Sequence, residues 1–254
     1  NTKRGLVAFD AMMGDYATWL QPGSPLSWYY NYASTPFAQF SNSQLQYVPM
    51  LWGNDQVNFT AAVLSLIEQG YNITYVLGFN EPDQTFNVGG SQLDPTTAAS
   101  RWQSDIQPLK QYGLKLGAPA ISFNVTWLQE FFQLCSGCTI DFIPFHWYGP
   151  LYSSVQGQAF YDRYYQLAAT FPGSTFWLTE WADPNQDLAT TQSNYNGILA
   201  FIENQTDIQR HSYFGSFRSD SSDAANVGYN VTMLDQCGRL TDIGDSYMDL
   251  NAQG

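Results

Sequence analysis

Charge is scarce in this chain, and cations are the scarcest part of it. Of 254 residues only 9 are Lys or Arg, against 22 Asp or Glu, for a net charge of −13. Nucleic acid and anionic membrane are excluded as partners, because binding either needs clustered cations. With one CxxC and only two histidines, a structural zinc site lacks its usual ligand pattern. No apolar run approaches the ~20 residues of a membrane span. A Gly-x-Gly-x-x-Gly after the first apolar segment and a Gly-x-Ser-x-Gly elbow are both missing, which removes the usual nucleotide-binding and serine-esterase readings. The chain opens at Asn1 without a basic-then-apolar leader, so any secretion signal is expected to have been removed.

Aromatic residues, in contrast, make up 17% of the sequence and suit both a large core and stacking on flat ligands. Asn58, Asn72, Asn124, Asn204 and Asn230 each head an Asn-x-Thr sequon, a set that implies secretion from a eukaryote and glycosylation. Cys135 and Cys138, in "CSGC", read as a tight local disulfide that leaves Cys237 unpaired. The competing reading of that motif is redox or zinc chemistry, for which the surrounding pattern is lacking.

Eight short apolar runs recur: 5–10, 26–32, 46–53, 75–82, 114–120, 141–149, 175–182 and 211–217. Helical spacing fills the intervals at 59–70, 125–135, 161–171 and 195–205, with a last helix at 240–250. Strands alternating with helices pair in parallel, and eight right-handed units close into a ring. The expectation is one catalytic domain over residues 1–254, a compact α/β fold of the (β/α)8 barrel type. Its first helix is short or missing, since only "DYATWL" is available for it.

In such a barrel the chemistry gathers at the C-terminal ends of the strands. Five glutamates occur in the chain, and Glu68, Glu130 and Glu203 fall in helical segments as solvated charges. Glu81 in "FNEPD" and Glu180 in "LTEWA" instead end the fourth and seventh strands. Two carboxyls across one cleft are what glycoside hydrolysis requires, one protonated and one ionised. Asp10, Asn31, Trp52, His146, Tyr148, Trp181 and Phe217 end other strands in the same layer. Amides, imidazole and phenol beside indoles suit sugar hydroxyls and C–H faces, with Trp52 and Trp181 expected to show ring faces to the cleft. Trp28, Tyr30 and Trp177 read as core, and His211 as structural.

Further stretches accompany these: "RGLVAF", "YVLGFNEPDQ", "CSGCTIDFIPFHWYG", "FWLTEWA" and "GRLTDIGDSYMD". Together they resemble glycoside hydrolase family 128, the Asl1-like catalytic core, almost end to end. The resemblance implies a clan A barrel that cleaves β-1,3-glucan with retention and without cofactor or metal, as a monomer at the cell wall or outside the cell. It implies Glu81 as acid/base, Glu180 as nucleophile and Asn80 on the sugar 2-hydroxyl, with His146 and Tyr148 steadying nucleophile or sugar. Internal cleavage is expected ahead of chain-end cleavage. The pattern departs from the clan at strand eight, where Phe217 stands in place of a common tryptophan. The alternative is a catalytically silent β-1,3-glucan-binding protein on the same barrel.

Overall fold

The computed structural model describes residues 2–10, 14–184 and 186–249. The eight strands are β1 (Arg4–Val7), β2 (Trp28–Tyr30), β3 (Gln46–Tyr47), β4 (Tyr75–Val76), β5 (Lys115–Leu116), β6 (Ile143–Tyr148), β7 (Phe176–Ala182) and β8 (Ile208–Tyr213). Every one lies on or overlaps an apolar run read from the sequence. Strand eight starts three residues earlier than expected, so His211 sits inside it rather than opening it.

The helices are α1 (Tyr16–Trp19), α2 (Phe59–Glu68), α3 (Pro95–Asp105), α4 (Val125–Leu134), α5 (Phe160–Thr170), α6 (Leu188–Asn204), α7 (Ser222–Val227) and α8 (Asp242–Met248). The first is four residues long, as "DYATWL" suggested. The expected 240–250 helix is observed as α8, and residue 250 lies outside the described residues. Helices α3 and α7 were not anticipated. Both carry N-caps that were there to be read: Asp94, followed by Pro95, accepts from the N–H of Thr97, and Ser221 accepts from that of Ala224.

All strand pairs are parallel. Six strands run in the order β3-β2-β1-β8-β7-β6, while β4 and β5 form a separate pair. Bridges at Met50–Leu77 and Gly117–Phe142 join the pair to both edges of the six, and the ring closes as a (β/α)8 barrel. One core fills the ring interior with Val7, Trp28, Tyr30, Val48, Met50, Leu77, Phe142 and Trp177. A larger core lies between strands and helices. The interior is tight: a Cβ at Gly5 would collide with the indole of Trp28, so only glycine fits there.

Candidate active site

Two strand ends bring the carboxylates together, by different local devices. Strand β7 carries a bulge relative to β6: Phe145 pairs with Leu178, but His146 pairs with Glu180, leaving Thr179 extra. Bulges re-aim side chains near active sites. Here the freed carbonyl of Thr179 accepts hydrogen bonds from Tyr30 Oη (3.0 Å) and Ser212 Oγ (2.5 Å), and Glu180 turns into the ring directly beside His146.

Strand β4 ends in another way. Asn80 bridges to Ala120, and the N–H of Glu81 donates to the Ala120 carbonyl at 2.8 Å. Glu81 itself then takes a left-handed backbone, φ 40°, one residue before Pro82. Such a conformation costs a non-glycine residue about 1–3 kcal/mol and persists where the surroundings impose it. Asp83 is part of that constraint. Its carboxylate accepts backbone N–H bonds from Ser122 (3.0 Å), Phe123 (2.9 Å) and Asn124 (2.9 Å), fastening the end of β4 to the loop after β5.

The result is a buried hydrogen-bonded cluster. Glu81 is 7% and Glu180 4% exposed, and His146 is fully buried between them. His146 Nδ1 lies 2.7 Å from Glu81 Oε1 and 3.4 Å from Glu180 Oε2. Tyr148 Oη donates to Glu180 Oε2 at 2.6 Å, and Tyr32 Oη to Glu180 Oε1 at 2.7 Å. Tyr30 Oη adds a longer contact of 3.4 Å. Burial raises the Glu180 pKa above the usual carboxylate range and the neighbouring Glu81 adds to the rise, while His146, Tyr148 and Tyr32 oppose it. Burial works against the imidazolium of His146, but Glu180 and Glu81 together outweigh it and its pKa is raised. Tyr32 and Tyr148 are pushed far up, by burial and then by Glu180, so both remain hydroxyl donors.

Glu81, His146 and Glu180 are also, among the described residues, the group of three potential metal ligands whose atoms lie within 4.8 Å of one another. Two ligands of one tetrahedral ion at ~2.1 Å would stand ~3.4 Å apart. The 2.7 Å His146–Glu81 contact is a hydrogen-bond distance, and the cluster suits proton exchange better than ion binding.

Above the cluster opens a cleft of about 810 Å³. Asn80, Glu81, Tyr148, Glu180 and Trp52 line it, as do Tyr32, Phe9, Phe214 and Ser122. None of its described lining residues is cationic. Asn80 donates through Nδ2 to the Gly89 carbonyl at 3.1 Å, which leaves its buried Oδ1 without a protein partner.

Four of the strand-end residues expected in the cleft lie elsewhere. Trp181 is fully buried on the outer side of β7, its ring 5.5 Å from Tyr195 and 4.8 Å from Tyr213. Side chains alternate along a strand, so Glu180 pointing in sends Trp181 out. Asn31 follows the same rule: it accepts from Tyr47 Oη at 2.9 Å and donates to the Thr35 carbonyl, while Tyr30 and Tyr32 on either side point inward. Phe217 is 1% exposed and packs on Phe9 and Phe214, the latter being the residue that reaches the cleft from strand eight. Asp10 is exposed and does not line the cleft. Tyr32 and Asp83 were missed, although the alternation Tyr30-Asn31-Tyr32 held the signal for the first. Cys135 and Cys138 are joined by a disulfide at the end of α4, and Cys237 is free and exposed. Asn58, Asn72, Asn124 and Asn204 are exposed, while Asn230 is half-buried and donates to the Gln186 carbonyl at 2.8 Å.

Residues 6–247 match the glycosyl hydrolase catalytic core family. Alkali-sensitive linkage protein 1 of Schizosaccharomyces pombe is 33% identical over 233 residues, 88% of this chain but 40% of that one. The chain thus spans well under half the length of that relative. A curdlan-specific exo-β-1,3-glucanase of glycoside hydrolase family 128 from Blastomyces gilchristii is 28% identical, with a TM-score of 0.75 over 97% of both chains. A family 128 oligosaccharide-binding protein from Cryptococcus neoformans is 26% identical, with a TM-score of 0.74 over 99% of this chain and 94% of that one. A match across nearly the whole barrel, on strands that end in the paired glutamates, makes this chain a member of the glycosyl hydrolase catalytic core family, of the family 128 type.

Proposed function

We propose that this chain is a retaining glycoside hydrolase that cleaves β-1,3-glucosidic bonds in glucan, with Glu81 as acid/base and Glu180 as nucleophile. The observation that carries the reading is the carboxylate pair: an oxygen of each lies within 4.8 Å of the other, at one cleft, with His146 beside both and Tyr148 and Tyr32 donating to Glu180. Retention needs carboxyls ~5–5.5 Å apart, whereas inversion leaves ~6.5–9.5 Å for a water. In the first step Glu81 gives its proton to the glycosidic oxygen as Glu180 attacks the anomeric carbon. In the second, Glu81 takes a proton from the water that releases the sugar from Glu180. Tyr148 and Tyr32 hold Glu180 ionised against its burial and orient its attacking oxygen. His146 touches both carboxylates and keeps their charges apart. The unpartnered Oδ1 of Asn80 is placed to accept from a sugar hydroxyl.

The barrel acts as a single catalytic unit, which the near-complete overlap with a family 128 glucanase supports. The cleft, at about 810 Å³, is toward the upper end of the size range of small-ligand sites. That supports cleavage within a chain rather than at its end. Five sequons support an exported, glycosylated protein working on wall glucan. No helix among the described residues is long and apolar enough to cross a membrane.

A second reading has an observation behind it. The family 128 relative from Cryptococcus neoformans is an oligosaccharide-binding protein, so the barrel also serves binding. Release of reducing sugar from laminarin separates the two. Glu180→Gln should abolish it while glucan binding survives, and Glu81→Ala should be rescued by azide on a substrate with an activated leaving group. Wild-type protein that binds laminarin without cleaving it would leave the binding reading standing.

A further inference from the structure

The loop that follows Glu81 puts an aromatic lip on the cleft. Phe86 and Val88 are each 61% exposed. The ring of Phe86 lies 6.3 Å from that of Trp52 at 31°, and Trp52 and Val88 both line the cleft. Gln84 and Asn87 line it next to them, so the lip combines apolar faces with neutral amides and carries no cation.

The loop is held rigidly. The N–H of Gln84 donates to the Glu81 carbonyl (2.9 Å), that of Ser91 to Asn80 (2.9 Å), and that of Leu93 to Pro82 (3.1 Å). Gln92 closes back on Gln84 at 3.0 Å, and Asn80 Nδ2 holds the Gly89 carbonyl. A side chain at Gly90 would run into Gln84, so the turn closes only around glycine. A surface held in place by backbone bonds orders little on binding and keeps more of its contact energy.

We propose that Phe86 and Trp52, flanked by Val88, form a distal glucosyl subsite, at least one sugar away from the carboxylate pair, that makes the enzyme select longer glucan chains. This rests on the proposed function. Aromatic faces match the C–H face of a glucosyl ring, and the adjoining amides match its hydroxyls. Asn80, Glu81 and Glu180 line the cleft at under 10% exposed, whereas Phe86 is 61% exposed and stands outside that lining, against Trp52, so the sugar it meets is not the one being cleaved. The loop bonds directly to the backbone of Asn80, Glu81 and Pro82, so occupancy of the lip also steadies the acid/base.

The test compares wild type, Phe86→Ala and Phe86→Trp on laminari-oligosaccharides from two to six sugars. For Phe86→Ala the loss of kcat/KM should grow with length, being about tenfold greater on the six-sugar chain than on the shortest one cleaved. The extra loss should appear in KM, and Phe86→Trp should restore it. A loss that is the same at every length, or none, overturns the subsite. Affinity electrophoresis through a laminarin gel reads the same residue without turnover. A silent protein would refute the hydrolase reading, and the gel would still test the subsite: retardation should fall in Phe86→Ala, and retardation unchanged in that variant overturns the proposal.

Discussion

As the proposed nucleophile Glu180 has to be ionised, yet burial favours its neutral form. A carboxylate with a raised pKa loses its charge as pH falls through that raised value, so the acid limb of kcat/KM should lie above the ~4.3 of a free glutamate. Tyr148 lowers the Glu180 pKa by donating at 2.6 Å. Tyr148→Phe should therefore move the acid limb upward, measured from pH profiles of the two proteins. An unmoved limb would mean that Tyr148 does not bear on Glu180. At this scale the sequence was legible where chemistry narrowed the choice: few glutamates, two of them at strand ends. It was less legible where orientation decided. Asn31 and Trp181 occupy the right positions along their strands but point outward, because the residue that points inward is fixed by period-two alternation and by the bulge at Thr179. A bulge depends on partners contributed by other strands, which a single stretch of sequence does not display.

At the scale of elements, all eight strands were readable because each is a short apolar run bounded by turn residues. The ladder itself was harder to read: β3, β4 and β5 are only two residues long in regular pairing, and the remaining contacts are single bridges. Helix α3 was missed because its sequence, "PTTAASRWQSD", is polar and buries only Ala98, Ala99 and Trp102. Small buried residues make a weak periodic signal, so capping at Asp94 and Pro95 was the better guide. Helix α7 is six residues long, too short for periodicity to register. The helices that were recognised, α2 and α4 among them, bury large apolar side chains on one face.

For the whole molecule, the seam where the chain's beginning meets its end is electrostatic. Glu203 near the end of α6 pairs with Arg4 of β1 at 3.0 Å and with His211 of β8 at 3.3 Å. His211, Arg4 and their hydrogen bonds hold the Glu203 pKa down at about 2. A carboxylate depressed in the folded state stabilises the fold above its unfolded pKa, near 4.3, and that contribution disappears as pH falls toward 2. Acid unfolding should thus be steeper between about pH 4.3 and 2 in the wild type than in Glu203→Gln, followed by far-UV dichroism. Equal slopes would remove Glu203 from the account.

The division of the sheet into six strands and two has a consequence for motion. Strands β6, β7 and β8 are six or seven residues long, while β4 and β5 are two. Local opening follows such differences in hydrogen-bond cover. Glu180, the proposed nucleophile, therefore rides on the arc with the longest regular strands and Glu81, the proposed acid/base, on the arc with the shortest, where the three amide bonds of Asp83 add to the backbone bonds at Asn80 and Glu81. In amide hydrogen exchange, protons at 176–182 and 208–213 should be retained long after those at 75–81. Asp83→Ala should widen that gap by exposing the fourth strand first, so that the barrel breathes on the side of Glu81 while Glu180 stays in place.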